Sequence, residues 1–283
     1  YSEIITYSFV SPASFDAVCI PKDSPLRKTL KLVNPLGEDT SIMRTIILPS
    51  MLDILSRNYA MKNKGVKLYE LGRVYLPVDG QDLPEEPRHL IFGTYGEHET
   101  FFTMKGEIDA LLQLLNVKPA EYVANRENPS YHPGRCADIL IDGKLAGTIG
   151  QIHPLVAEAY GIGGEVYVAD LDFTTIEASL AEERVFHSLP RFPAVTRDLA
   201  LVCDESLTVG ELERCISAAA GKLLRKINLF DIYRGPGVAA GKKSVAFSLE
   251  LRADDRTLTD EDSTGVVDRV LKALKEEKDV TLR

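Results

Sequence analysis

The chain has 283 residues, 45% of them hydrophobic and 27% charged, and a formal net charge of −9. That length can bury a sizeable core and fill two ordinary domains, and the balance excludes a disordered or fibrous chain. No apolar run approaches the ~20 residues that a bilayer span requires, so no membrane association is expected.

The acidity is local. Residues 185–283 hold 16 basic and 16 acidic side chains, so the whole deficit lies in residues 1–184. No basic-then-apolar leader opens the chain, and residue 1 is Tyr rather than Met. The expectation is a cytoplasmic piece of a longer protein. Cys19, Cys136, Cys203 and Cys215 are scattered and form no CxxC pair. His132 lies four residues before Cys136 without a second ligand pair. Free thiols are expected, and neither a metal site nor a nucleophilic cysteine.

In chain order, Asn34-Pro35-Leu36-Gly37 is a turn, and a helix follows from Ser50 with Met51, Leu52, Ile54, Leu55 and Tyr59 on one stripe. Pro49 suits its first turn and Gly65 its C-terminal cap. This stripe either covers the chain's own sheet or packs against another subunit. Val66–Leu76 and Leu90–Tyr95 alternate like strands, and 104–115 reads as a helix with Leu111, Leu112, Leu114 and Leu115 inward. Residues 137–141 and 145–150 flank Asp142-Gly143 as a hairpin, and 166–171 is a further strand. The pattern is α+β with a mostly antiparallel sheet. Pro190 and Pro193 keep the following stretch extended, and the domains divide as 1–184 and 185–283.

The second domain reads strand, helix, strand, strand, helix, strand, a ferredoxin-like βαββαβ order. Alternation in 197–203 sends Leu199, Leu201 and Cys203 to one face and Asp198, Ala200 and Val202 to the other. Thr208 with Glu211 forms a capping box, the helix ends at Gly221, and Thr259 caps the last helix. In the next strand Phe230 and Ile232 point inward, Asp231 and Tyr233 outward; in the third, Val245, Phe247, Leu249 and Leu251 point inward and Ser244 outward.

Two helices on one face of such a sheet leave the other bare, carrying Ala200, Asp231, Tyr233 and Ser244. A phenol ring can stack on a base, and a carboxylate can accept from the edge of a guanine, the usual manner of reading single-stranded RNA. Lys222, Arg225, Lys226, Arg234, Lys242 and Lys243 crowd nearby against the single acid Asp231, enough to attract a phosphate backbone. Lys222, Arg225, Arg234, Lys242 and Lys243 are the candidate backbone contacts. Tyrosine on a strand face is equally what β propensity produces, and lysines on loops are commonly only solvated. At the level of residues both readings stand.

Arg191-Phe192-Pro193-Ala194-Val195, Arg197-Asp198-Leu199-Ala200, Leu229-Phe230-Asp231-Ile232-Tyr233-Arg234-Gly235, Gly241-Lys242-Lys243-Ser244, Arg256-Thr257-Leu258-Thr259-Asp260 and Leu282-Arg283 together resemble the ferredoxin-fold anticodon-binding domain that ends the beta subunit of bacterial phenylalanyl-tRNA synthetases. Tyr69-Glu70-Leu71-Gly72-Arg73-Val74, Met104-Lys105-Gly106, His132-Pro133-Gly134-Arg135 and Gly150-Gln151-Ile152-His153-Pro154 are similar to the same subunit's catalytic-like core, a class II synthetase-like antiparallel sheet with helices. The resemblance implies that Tyr233 stacks on an anticodon base, that Asp231 and Ser244 read its edge and that Ala200 lines the surface. It implies tRNA(Phe) and a catalytic alpha subunit as partners, in a tetramer of two alpha and two beta chains that is an ATP-dependent ligase. It also favours packing of the 50–59 helix against that subunit.

Catalysis is not expected within this chain. The strand 69–73 lacks the Arg-x-Glu that would clamp an α-phosphate, and no downstream Gly-rich arginine motif follows Gly147-Thr148-Ile149-Gly150. No catalytic or metal residues are assigned, no cofactor is expected in this portion, and ATP and Mg²⁺ belong to the assembled enzyme. His132 and His153, each before proline, are read as turn anchors. Glu70 and Arg73 are expected to pair or to face a subunit interface, and Gly147 and Gly150 to serve close packing. The rival reading is a stand-alone regulatory or interaction module using its ferredoxin-like sheet for other ligands.

Overall fold

A computed structural model describes residues 1–180, 186 and 188–283. The chain forms two compact units, 1–184 and 185–283. The residues at the expected domain boundary lie outside those described.

The first unit is built on a seven-stranded sheet. Its strands run, in spatial order, Ser2–Glu3, Val66–Arg73, Arg88–Tyr95, Tyr167–Asp172, Lys144–Ile152, Tyr131–Ile141 and Glu121–Ala124. Every pairing is antiparallel except Ser2–Glu3 against Val66–Arg73. The turn between the long hairpin strands places Asp142 at φ 49 and Gly143 at φ 75, both in the left-handed region that such tight turns need.

Two helices contribute to separate apolar clusters of this unit. Leu48–Ala60 sets Met51, Leu52 and Leu55, all fully buried, against Ile91 and Val168. Phe101–Leu114 buries Met104, Ile108 and Leu112 with Ile139, Ile149 and Ala169. The first helix therefore spends its stripe on its own sheet. Approach is close: a Cβ on Gly93 would come within 2.7 Å of Met51 Sδ. Two expectations are corrected here, and a third is made specific. That helix ends at Ala60, with Lys62 rather than Gly65 supplying the left-handed residue at φ 65. Leu114 faces out at 69% exposure, because Met104, Ile108 and Leu112 recur every four residues and define the inward face. Glu70 and Arg73 do not pair with each other: Glu70 is buried against Arg44 at 2.9 Å, and Arg73 bonds Glu86 at 3.0 Å.

The second unit comprises β1 (Val195–Asp204), α1 (Val209–Ala220), β2 (Leu224–Tyr233), β3 (Lys242–Leu251), α2 (Asp260–Lys278) and β4 (Thr281–Leu282). The sheet order is β2-β3-β1-β4, antiparallel throughout. Leu199, Leu201 and Cys203 of β1 and Val245, Phe247, Leu249 and Leu251 of β3 are buried with Leu212 and Ile216 of α1 and Val266, Val270 and Leu274 of α2. Both helices start as expected. Thr208 Oγ1 accepts from Glu211 N at 3.3 Å while Glu211 Oε2 accepts from Thr208 N at 2.9 Å, and Thr259 and Asp262 repeat the exchange. Gly221 closes α1 at φ 67.

Candidate nucleic-acid interface

Residues opposite each other on antiparallel strands project to the same face. On the helix-free face of the second unit the register therefore draws rows. Tyr233 stands opposite Ser244, Ser244 opposite Val202, and Val202 opposite Thr281. The adjacent row is Asp231, Ala246 and Ala200, and the next is Asn228, Ser248 and Asp198. Asp231 and Tyr233 thus lie two residues apart on one edge strand, about 6.6 Å along it.

A bulge puts them there. Leu229 pairs with Phe247 and Asp231 with Ala246, so Phe230 is the extra residue of β2. Leu229 faces the helices with Phe247, and in an unbroken strand Asp231 and Tyr233 would share that side. The inserted residue resets the alternation and re-aims both toward the open face. Phe230 is consequently 55% exposed, which corrects its expected inward placement. Ile232 does turn inward, opposite Val245, yet stays partly exposed on this edge strand.

Tyr233 is half-buried. Its hydroxyl donates to Pro236 O at 3.1 Å, and the ring lies against Gly235, where a Cβ would come within 2.8 Å of the phenolic oxygen. The Arg283 guanidinium sits over the ring, 4.9 Å from its centroid. Asp231 is exposed and Ala200 half-buried. Ser244 is buried, at 3% exposure, although no helix covers its face. The expectation of an open Ser244 is corrected: neighbouring side chains on the same face shield it.

The candidate backbone cations divide. Lys222 is exposed in the turn after α1, and Lys242 is half-buried opposite Asp204 at the end of the open face. Arg225 pairs with Asp254 at 2.6 Å. Arg234 grips Glu205 with two bonds at 2.8 and 2.9 Å, and this hydrogen bonding holds the Glu205 carboxyl below its ordinary range. Lys243 is buried opposite Cys203, and its Nζ donates to Glu205 O at 3.0 Å. Its ammonium is spent inside the unit, which corrects the expectation that it is free for a phosphate.

Family models match both units. The phenylalanyl-tRNA synthetase beta chain CLM domain covers residues 1–173, and the ferredoxin-fold anticodon binding domain covers 190–283. The chain belongs to the phenylalanyl-tRNA synthetase beta chain family. The phenylalanine–tRNA ligase beta subunit of Clostridium tetani is 41% identical over all of this chain, which spans 36% of that relative. The Symbiobacterium thermophilum and Bacillus subtilis beta subunits are 40% and 38% identical over 97% and 100% of the chain. The chain thus spans about a third of the length of these relatives.

Within the beta-chain family's core unit, polar groups are engaged structurally. His132 Nδ1 accepts from Gly134 N at 3.0 Å, and His153 Nδ1 from Leu155 N at 3.2 Å at the start of a short helix. Both histidines anchor turns. A Cβ on Gly147 would strike Asp170 O, and one on Gly150 would come within 2.7 Å of Arg135 O, so both glycines serve strand contact. Burial pushes the Cys136 thiol up to about 12 and raises those of Cys203 and Cys215, as expected of inert core cysteines. Among the described residues no cluster of three or more His, Cys, Asp or Glu could hold a metal ion, and no helix is long and apolar enough to cross a membrane. Sequence reasoning missed Arg283 at the aromatic platform. It belongs to the quoted Leu282-Arg283 pair, but only the β4 pairing brings it to Tyr233.

Proposed function

We propose that this chain is a non-catalytic portion of a cytoplasmic phenylalanine–tRNA ligase, in which residues 1–184 scaffold the alpha subunit and residues 185–283 grip the anticodon stem-loop of tRNA(Phe). The observation that carries the reading is the helix-free face on which a bulge aims Asp231 and Tyr233 side by side, within a unit matched by the anticodon-binding family. Tyr233 would stack on an unpaired base, Asp231 would accept from its edge, and Ala200 would leave room beneath it. Lys222 and Lys242 would meet the phosphate backbone, with Arg225 and Arg234 exchanging their carboxylate partners for it.

Scaffolding is supported by a cleft of about 720 Å³ in the first unit, lined by Ile5, Tyr7, Phe9, Asp53 and Tyr160 among others. Ile5 and Tyr7 are almost fully exposed there, the signature of an apolar patch awaiting a partner. The strand 69–73 lacks the Arg-x-Glu that would clamp an α-phosphate, and the arginines of that unit's sheet already carry carboxylate partners. Arg44 is buried on Glu70, Arg73 pairs with Glu86, Arg88 with Glu177 and Arg135 with Glu165. ATP and Mg²⁺ would accordingly be held by the alpha subunit, in an enzyme of two alpha and two beta chains.

Titration of the chain with an anticodon stem-loop of tRNA(Phe), followed by fluorescence anisotropy, tests the reading. Binding that falls steeply with salt is expected; no salt-dependent binding overturns it.

A further inference from the structure

We propose that Arg283 is a nucleotide-binding residue of the open face, which holds the Tyr233 ring until a base takes its place and then pairs with that nucleotide's phosphate. The inference rests on the reading of this face as an RNA platform.

Arg283 is fixed by its backbone. Its N–H donates to Ala200 O at 2.8 Å, continuing the pairing in which Leu282 faces Leu201 and Thr281 faces Val202. Alternation then sends Arg283 to the open side. Tyr233 starts from the opposite edge of the sheet, about 14 Å away across three strand spacings. The two long side chains meet across positions that are mostly short, Ala200, Ala246 and Ser244, with Val202 the one branched residue among them. Ala246 and Ser244 are only 9% and 3% exposed on a face that no helix covers, and the Tyr233–Arg283 bridge accounts for that cover. Gly237, at φ 90, lies beside the guanidinium, where a hypothetical Cβ would be 3.9 Å from Arg283 Nη2, an ordinary van der Waals contact.

Arg197, Arg225 and Arg234 each pair with a carboxylate, whereas among the described residues Arg283 touches the ring and no acid. Base–aromatic stacking is generally stronger than a cation–π contact with a solvent-reached ring, which favours exchange of the guanidinium for a base. The displaced group is a planar fork suited to phosphate oxygens.

The test uses the whole chain and an anticodon stem-loop of tRNA(Phe) titrated at several salt concentrations. Arg283→Ala is expected to weaken binding several-fold, to leave base preference unchanged and to cut the log–log salt slope by about one; Arg283→Lys keeps the slope. Unchanged affinity and slope, or tighter binding, overturns the inference. Tyr233→Ala separates the two levels. If it leaves affinity unaltered, the platform reading itself fails; if it weakens binding while Arg283→Ala does not, only the role of Arg283 fails. Exchange is observed directly in arginine Nε–Hε spectra. The Arg283 signal, identified by its loss in Arg283→Lys, is expected to carry a ring-current shift in the free chain that disappears with saturating stem-loop. A shift retained in the complex overturns the exchange.

Discussion

Arg44 and Glu70 form an ion pair at 2.9 Å with side chains only 2% and 4% exposed. Arg44 Nε also donates to Arg73 O at 2.9 Å, and Thr6 joins both charges, accepting from Arg44 at 2.8 Å and donating to Glu70 at 2.7 Å. The pair therefore ties three segments of the first unit together. Arg44→Ala strands a buried carboxylate and is expected to cost about 3–5 kcal/mol in chemical denaturation. The double variant Arg44→Met with Glu70→Leu, which removes both charges, is expected to recover most of that loss. Gly72→Ala should destabilise as well, because its methyl would strike Arg44 Nη2.

Tyr233→Ala is expected to weaken stem-loop binding by about 1–3 kcal/mol, the range for losing one stacked base. The melting profile should hold, since the ring is half-buried on the helix-free face and outside the second unit's apolar cluster. Asp231→Asn keeps the shape but replaces an acceptor by an amide, so discrimination between guanine and adenine at the stacked position should shrink. Anisotropy titrations with stem-loops differing at that base check both.

The bulge gives a geometric prediction. Phe230→Ala keeps the residue count of β2 and removes only a side chain that is 55% exposed, so RNA affinity should be retained. Deleting Phe230 makes Leu229 and Asp231 neighbours in an unbroken alternation, which keeps Leu229 inward and Asp231 and Tyr233 on the open face. Retained stem-loop binding in both variants, with folded circular dichroism spectra, is the expected outcome, and loss of binding in the deletion would overturn the role given to alternation.

Lys243 and Lys242 are neighbours with different fates. Lys243 is buried and donates to Glu205 O at 3.0 Å, so Lys243→Ala should lower the denaturation midpoint by leaving a buried acceptor unmet. Lys242 lies on the open face. Lys242→Ala should leave stability alone and reduce the salt slope of RNA binding by about one. Parallel denaturation and salt titrations separate the two effects.

His89 supplies a pH dependence for the first unit. Burial pushes its pKa down, but the hydrogen bond to Asp170 at 2.7 Å and the charge of that carboxylate outweigh burial and raise it above the ordinary value. A histidine raised on folding contributes stability that is fully present below about pH 6.5, its unfolded value. The contribution is lost as pH rises through the folded value. Denaturation midpoints should therefore fall across that window in the parent chain, and Asp170→Asn should flatten the decline.

The legible parts of this protein are those set by local rules. Thr208 and Glu211 announce a helix start because a capping box needs only three residues of spacing. Asp142-Gly143 announces a tight turn because both residues must adopt positive φ. The inward set Leu199, Leu201 and Cys203 follows from alternation in an unbroken strand. Phe230 escapes simple alternation because a bulge depends on which residue of β2 is left unpaired, and only the register with β3 decides that. Leu114 was misplaced because a leucine-rich helix offers several apolar faces and only the sheet selects one. The shielding of Ser244 is not legible because pattern shows which side a residue faces, not what side chains lie across it, and Lys243 is spent because alternation puts it on the helix side opposite Cys203, where its ammonium meets Glu205 O.

The order of elements in the second unit, the capping boxes that start its two helices and the placing of a carboxylate and a phenol together on β2 were settled by sequence, since each follows from periodicity, turn chemistry and short-range hydrogen bonding. Only the tertiary structure decided which cations are free, that Glu70 answers Arg44, and that Arg283 crosses the sheet to Tyr233. Those outcomes depend on contacts between residues far apart in the chain, where packing and desolvation rather than local preference select the partner.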